Sequence, residues 1–144
     1  MWKSCFAAVA LIGLSFGVAP AMAQNAASNQ IDISKAGTTA AEHQAFVKSM
    51  SPEQQASVVE ACVPVIIKPA SDTPAAVTAF CKTVGESGIP AAGTTAAENT
   101  TFLNGLPADK QASLKAVCAP ATAQPADASG PMTLMLFCKN VTSQ

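Results

Sequence analysis

The sequence predicts an all-α protein made of two tandem copies of a small three-helix unit, each stapled by one disulfide. Three observations predict this. The segment from Ile33 to Val84 recurs from Ile89 to Val141, helix-start signals fall at the same places in both copies, and each copy holds two cysteines in matched positions. Self-similarity over such a span marks a repeated supersecondary unit.

The chain opens with Lys3, continues in an apolar run from Cys5 to about Val18, and reaches Pro20 and then Ala21-Met22-Ala23 before Gln24. A charged start, an apolar centre and a small-residue exit are the parts of a cleaved secretory signal, so residues 1–23 are expected to be removed. The apolar run is short for a permanent span, and Gly13, Gly17 and Pro20 weaken it further. Export to the periplasm or beyond the cell is the expected fate, with no membrane span left after cleavage. Gln24 to Asp32 is small and polar and reads as a flexible tail.

Cleavage leaves 121 of the 144 residues, carrying seven lysines against nine acidic groups, with no arginine and no tyrosine. Nucleic-acid binding draws on clustered cations to displace counterions and on aromatics to stack against bases. The seven lysines are scattered and the only aromatics kept are four phenylalanines, so nucleic acid is not an expected partner. Cys5 leaves with the signal, so the mature chain keeps Cys62, Cys81, Cys118 and Cys138. An even number in an exported chain of this size predicts two disulfides.

Unit 1 is expected at residues 33–84. Its first helix starts at Thr39 with Glu42 three residues on, a capping box preceded by the turn residue Gly37. The second starts at Ser51, with Pro52 at the first helical position and Gln54 closing a second box. Val58, Ala61, Cys62 and Val65 follow at helical spacing, and Pro64 is expected to stop or kink the helix. The third helix has Pro74 at its start and the apolar stripe Val77, Phe80, Cys81 and Val84.

Gly85 to Gly88 reads as a linker, and unit 2 as residues 89–144. The seven residues Ala36–Glu42 recur unchanged as Ala92–Glu98, and Gln55-Ala56-Ser57 recurs as Gln111-Ala112-Ser113. Cys118-x-Pro120 answers Cys62-x-Pro64, and one residue is inserted near Asp127 to Gly130. Leu134, Phe137, Cys138 and Val141 repeat the last stripe. Pro107-Ala108-Asp109 gives the fifth helix a cruder start, and Pro131 after Ser129-Gly130 opens the sixth. Val59 becomes Lys115, which predicts an outward position in both copies. The duplication favours the pairing that treats both copies alike, Cys62 with Cys81 and Cys118 with Cys138. A unit this small buries little apolar surface, and closing such a loop contributes about 3 kcal/mol in the chain-entropy account.

Candidate chemistry is sparse. His43 is the only histidine, a possible pH-sensitive residue. It borders an apolar face, and its counterpart is Asn99, so the reading preferred here is a boundary residue with its polar edge in water. No G-x-S-x-G, no C-x-x-C and no glycine-rich phosphate loop occurs. Met50, Met132 and Met135 read as core filler. Asn99-Thr100-Thr101 and Asn140-Val141-Thr142 match the glycosylation pattern, which matters only in a eukaryotic secretory pathway. The expectation is a non-enzyme without catalytic residues, metal or cofactor, binding a protein partner or a small apolar ligand. A stress-protective periplasmic chaperone and a secreted effector or inhibitor are the alternatives.

Overall fold

A computed structural model describes residues 31–123 and 132–144. The signal, the tail up to residue 30, the inserted residue near Asp127 and the Ser129-Gly130-Pro131 helix start lie outside the described residues. Helices α1 (Ala40–Lys48), α2 (Pro52–Ile67), α3 (Ala75–Ser87), α4 (Ala96–Asn104), α5 (Ala108–Thr122) and α6 (Met132–Thr142) make up the fold. Short 3-10 turns at Ile33–Ala36 and Pro90–Ala92 precede α1 and α4. The described residues contain no strand.

Local chemistry sets the helix starts. Thr39, Ser51 and Thr95 each cap a helix through a complete capping box with Glu42, Gln54 and Glu98. Pro107 caps α5 without any side-chain bond, as its cruder sequence predicts. Pro74 stands one residue outside α3, in the cap position, so its fixed φ leads into the helix rather than starting it. Gly85, Glu86 and Ser87, read as a linker, form the last turn of α3. The chain turns at Gly88 alone, with φ of 78°.

Neither internal proline stops its helix at once. The helix continues beyond Pro64 to Ile67, with Lys68 N–H donating to the Pro64 carbonyl at 2.9 Å, and α5 passes Pro120 to reach Thr122. Each proline is exposed and lies two residues after a buried half-cystine, Cys62 or Cys118. The helix is pinned to its neighbour there, which offsets one lost backbone bond.

The disulfides join Cys62 to Cys81 and Cys118 to Cys138, with Cα atoms 4.9 Å apart in both. They tie α2 to α3 and α5 to α6. Around them lies one continuous apolar core. The helices also pack across the sequence midpoint, α2 against α5 and α3 against α6. Phe80 packs edge-on against Phe46 at 6.2 Å, and Phe137 against Phe102 at 6.0 Å.

Packing across the midpoint overturns one reading. Val59 is wholly buried, not outward. Helix α2 is covered by α3, by α5 and by the 3-10 turn before α4, and it buries Gln55 through Val59 without a break. Lys115, the matched residue of α5, is only partly buried. Ala61, placed on the inner face by spacing, is exposed.

Candidate functional site

The repeated Ala-Gly-Thr-Thr-Ala-Ala-Glu segments form the densest polar clusters. Glu42 Oε2 accepts from Thr38 N–H at 3.0 Å, Thr39 N–H at 2.9 Å and Thr39 Oγ1 at 2.8 Å. Glu98 repeats this with Thr94 N–H at 2.9 Å, Thr95 N–H at 2.9 Å and Thr95 Oγ1 at 2.8 Å. The backbone donors of Thr38 and Thr39, then the Thr39 hydroxyl, pull the Glu42 carboxyl down to about 2. The Thr95 and Thr94 N–H groups and the Thr95 hydroxyl also lower Glu98. Hydrogen bonds to the charged form favour it.

Gly37 and Gly93 sit at φ of 79° and 66°. A Cβ on Gly37 would stand 2.6 Å from Glu42 Cβ, and one on Gly93 2.5 Å from Glu98 Cδ. The glycine, the second threonine and the glutamate of each segment are thus accounted for as helix-start architecture. In each carboxylate, Oε2 carries all three of these cap bonds.

His43 is buried, 4 % exposed, rather than lying at a wet boundary. Its Nδ1 lies 3.2 Å from Thr83 Oγ1, and its ring meets Phe80 edge-on at 5.3 Å. Thr83 Oγ1 donates to the Ala79 carbonyl, which leaves an oxygen lone pair for a His43 Nδ1–H. The sequence could not show this, because α3 is what covers the ring.

The same place in the second half holds two amides. Asn99 Nδ2 donates to the Ala92 carbonyl at 2.8 Å, and Asn140 Nδ2 donates to Asn99 Oδ1 at 2.8 Å. Asn99 is 2 % exposed. The two glycosylation-like asparagines therefore bond to each other, and both amide nitrogens are occupied.

One cluster escaped sequence reasoning. Lys110 Nζ donates to Ser57 Oγ at 2.9 Å and to Glu60 Oε2 at 3.0 Å, bridging α5 to α2. The only signal was that Lys110 replaces Gln54 of the first copy. A serine beside a lysine has the outline of a nucleophile and base. Here Lys110 is ion-paired to Glu60, while Ser57 is 7 % exposed and gives its proton to the Glu53 carbonyl. Glu60 Oε1 is buried without a partner among the described residues. The geometry is that of an interhelix tie.

All four half-cystines are buried, away from attacking thiols. No group of His, Cys, Asp and Glu among the described residues could hold a metal ion. No described helix is long and apolar enough to cross a membrane. Open hollows of about 300 Å³ between α1 and α3, about 440 Å³ beside α4 and about 140 Å³ beside α6 mark the surface. Leu136, at the lip of the smallest, is the one large apolar side chain that the described surface leaves half exposed. Comparison with known proteins gives no match: no family model, no curated protein and no solved structure is similar to the chain.

Proposed function

We propose that the mature chain is an exported, non-catalytic protein that acts by binding a protein partner through its surface. One observation carries this reading. The side chains that chemistry would recruit, namely Glu42, Glu98, His43, Ser57 and Lys110, are each committed to a helix cap or an interhelix bond. The described surface leaves Leu136 half exposed, which offers a protein partner an apolar contact. The two disulfides and the signal-like start support export to the periplasm or the exterior. Two tandem disulfide-closed units account for the matched cysteines and matched caps.

Photo-crosslinking residues placed at exposed positions, such as Gln44, Lys68, Ala112 and Leu136, test the reading in the native compartment. Adducts of one discrete mass, clustered on one face, are expected. Silence from every position overturns it.

A second reading, a stress-protective chaperone, draws on Leu136, the large apolar side chain that the described surface leaves half exposed. It predicts that client aggregation is suppressed near pH 4 by the wild type and not by Leu136→Asp. Equal behaviour of the two proteins removes it.

A further inference from the structure

The two copies of Gln-Ala-Ser provide an internal comparison. In the first half, Gln55 is buried; its Nε2 donates to the Met50 carbonyl at 3.0 Å. That bond aims Oε1 outward from α2, where it accepts the Ala91 N–H at 2.9 Å. The segment Ile89–Ala92 is seated there as a docked turn, with Ile89 only 4 % exposed.

In the second half, Gln111 Nε2 donates to the Leu106 carbonyl at 2.8 Å, so its amide is held the same way. Its Oε1 accepts nothing from the described residues. Ala112 and Ser113 are exposed, whereas Ala56 and Ser57 are buried. One turn further along the helix, Lys115 stands where Val59 stands in α2. Among the described residues its ammonium reaches only the Gln144 carbonyl, at 3.4 Å. Among the described residues, the second half therefore repeats the socket, adds a cation and seats no turn on Gln111.

We propose that the face of α5 around Gln111 docks a short segment of a partner protein, one that offers a backbone N–H to Gln111 Oε1 and a carboxylate to Lys115. This gives the binding reading above a location and a ligand chemistry, and it rests on that reading. The internal model for the occupant is the turn Gly88–Ala92, made acidic at its leading end. A second copy of this chain is a poor occupant. In its matching turn the Lys35 N–H is already spent on the Asp32 carbonyl at 3.2 Å.

The test is an NMR titration of the oxidised mature chain with the peptide acetyl-Asp-Ile-Pro-Ala-Ala-amide, whose affinity is expected in the millimolar range (about 1 mM). Shifts should concentrate on the Gln111 side-chain amide, Leu106 and Lys115. The same peptide led by Lys should bind about two- to fivefold more weakly, the scale of one exposed ion pair. Lys115→Glu should invert that preference, and Gln111→Leu should lose the site with its helical circular dichroism unchanged. Scattered or absent shifts, or equal binding of both peptides to wild type and to Lys115→Glu, overturn the proposal. Should Gln111→Leu fail to fold, the charge-swap pair still decides. Adducts at Leu136 but none at Ala112 would remove this site while leaving a protein-binding role intact.

Discussion

Helices α2 and α5 share a Gln-Ala-Ser start, a half-cystine, an internal proline and a disulfide to the next helix, yet they live in different surroundings. Helix α2 buries seven side chains from Gln55 to Val63, while α5 buries only Leu114, Cys118 and Ala121. The difference lies in their neighbours. The chain leaving α3 folds its next turn back over α2, and α5 has no such cover among the described residues. Lys115 in place of Val59 suits the less covered position. In repeat arrays the terminal unit likewise carries a polar outer face. Local sequence therefore builds the same helix twice, and tertiary cover decides which copy becomes the centre of the core.

Disulfide removal is the largest test of that contrast. Cys62→Ala with Cys81→Ala should cost more than Cys118→Ala with Cys138→Ala. Both lose a loop closure of about 3 kcal/mol and open a buried gap, and the gap left by the first lies against the more enclosed helix. Urea unfolding, read by circular dichroism, should show a single transition in each variant because the halves share one core. Two separate transitions, or equal losses, would break the comparison.

Next comes the tie between the halves. Lys110→Met strands Glu60, whose side chain is 18 % exposed, and should cost about 2–4 kcal/mol. Adding Glu60→Met should restore much of it, since an apolar pair of similar shape leaves no charge without a partner. A single-variant loss below about 0.5 kcal/mol would mean that the pair behaves like a surface contact.

Much of this fold was legible in the sequence, and the legible part is local. Capping boxes at Thr39, Ser51 and Thr95 need only neighbours three residues away, and the cysteine pairing follows from the matched spacing of the two copies. His43 and Val59 were misread for one shared reason. Periodicity reports the face that a helix turns to its own unit, and these residues answer to something else: α3 over the imidazole and the opposing half over Val59. The candidate docking face was invisible for the same reason, since Gln55 and Gln111 differ only in what sits on them.

The turn glycines give a smaller effect. Gly37→Ala and Gly93→Ala should each cost about 1–3 kcal/mol, from strained φ together with a clash against the capping carboxylate. Near-equal losses in thermal melts are expected, because the two segments are identical. A gap wider than about 1 kcal/mol would show that surroundings reach even the caps.

Acid titration sharpens the same point. Glu42 is lowered from 4.5 to about 2, so its contribution is complete above pH 4.5 and fades as pH falls through 2. Glu98 is lowered as well and acts in the same direction. Glu42→Gln and Glu98→Gln should therefore each flatten the acid limb of stability against pH and leave the slope near neutrality untouched. An unchanged acid limb in both variants would show that these caps do not govern acid stability.

The smallest expected change is the most informative about the polar contacts between the first and last helices of each half. Replacing His43 and Thr83 by the residues that the second half uses, His43→Asn with Thr83→Asn, transplants a pair already known to fit this helix crossing. The amide introduced on α1 would donate to the Ala36 carbonyl, as Asn99 donates to that of Ala92. The amide introduced on α3 would in turn donate to the new oxygen on α1, as Asn140 does to Asn99. His43→Asn alone removes the contact with Phe80 and leaves Thr83 with one bond fewer, a cost of about 1–2 kcal/mol. The double variant should fall within about 1 kcal/mol of wild type, so the cycle should show favourable coupling. If the double variant is worse than the sum of the singles, the two crossings are not interchangeable, and the imidazole is held by surroundings peculiar to the first half.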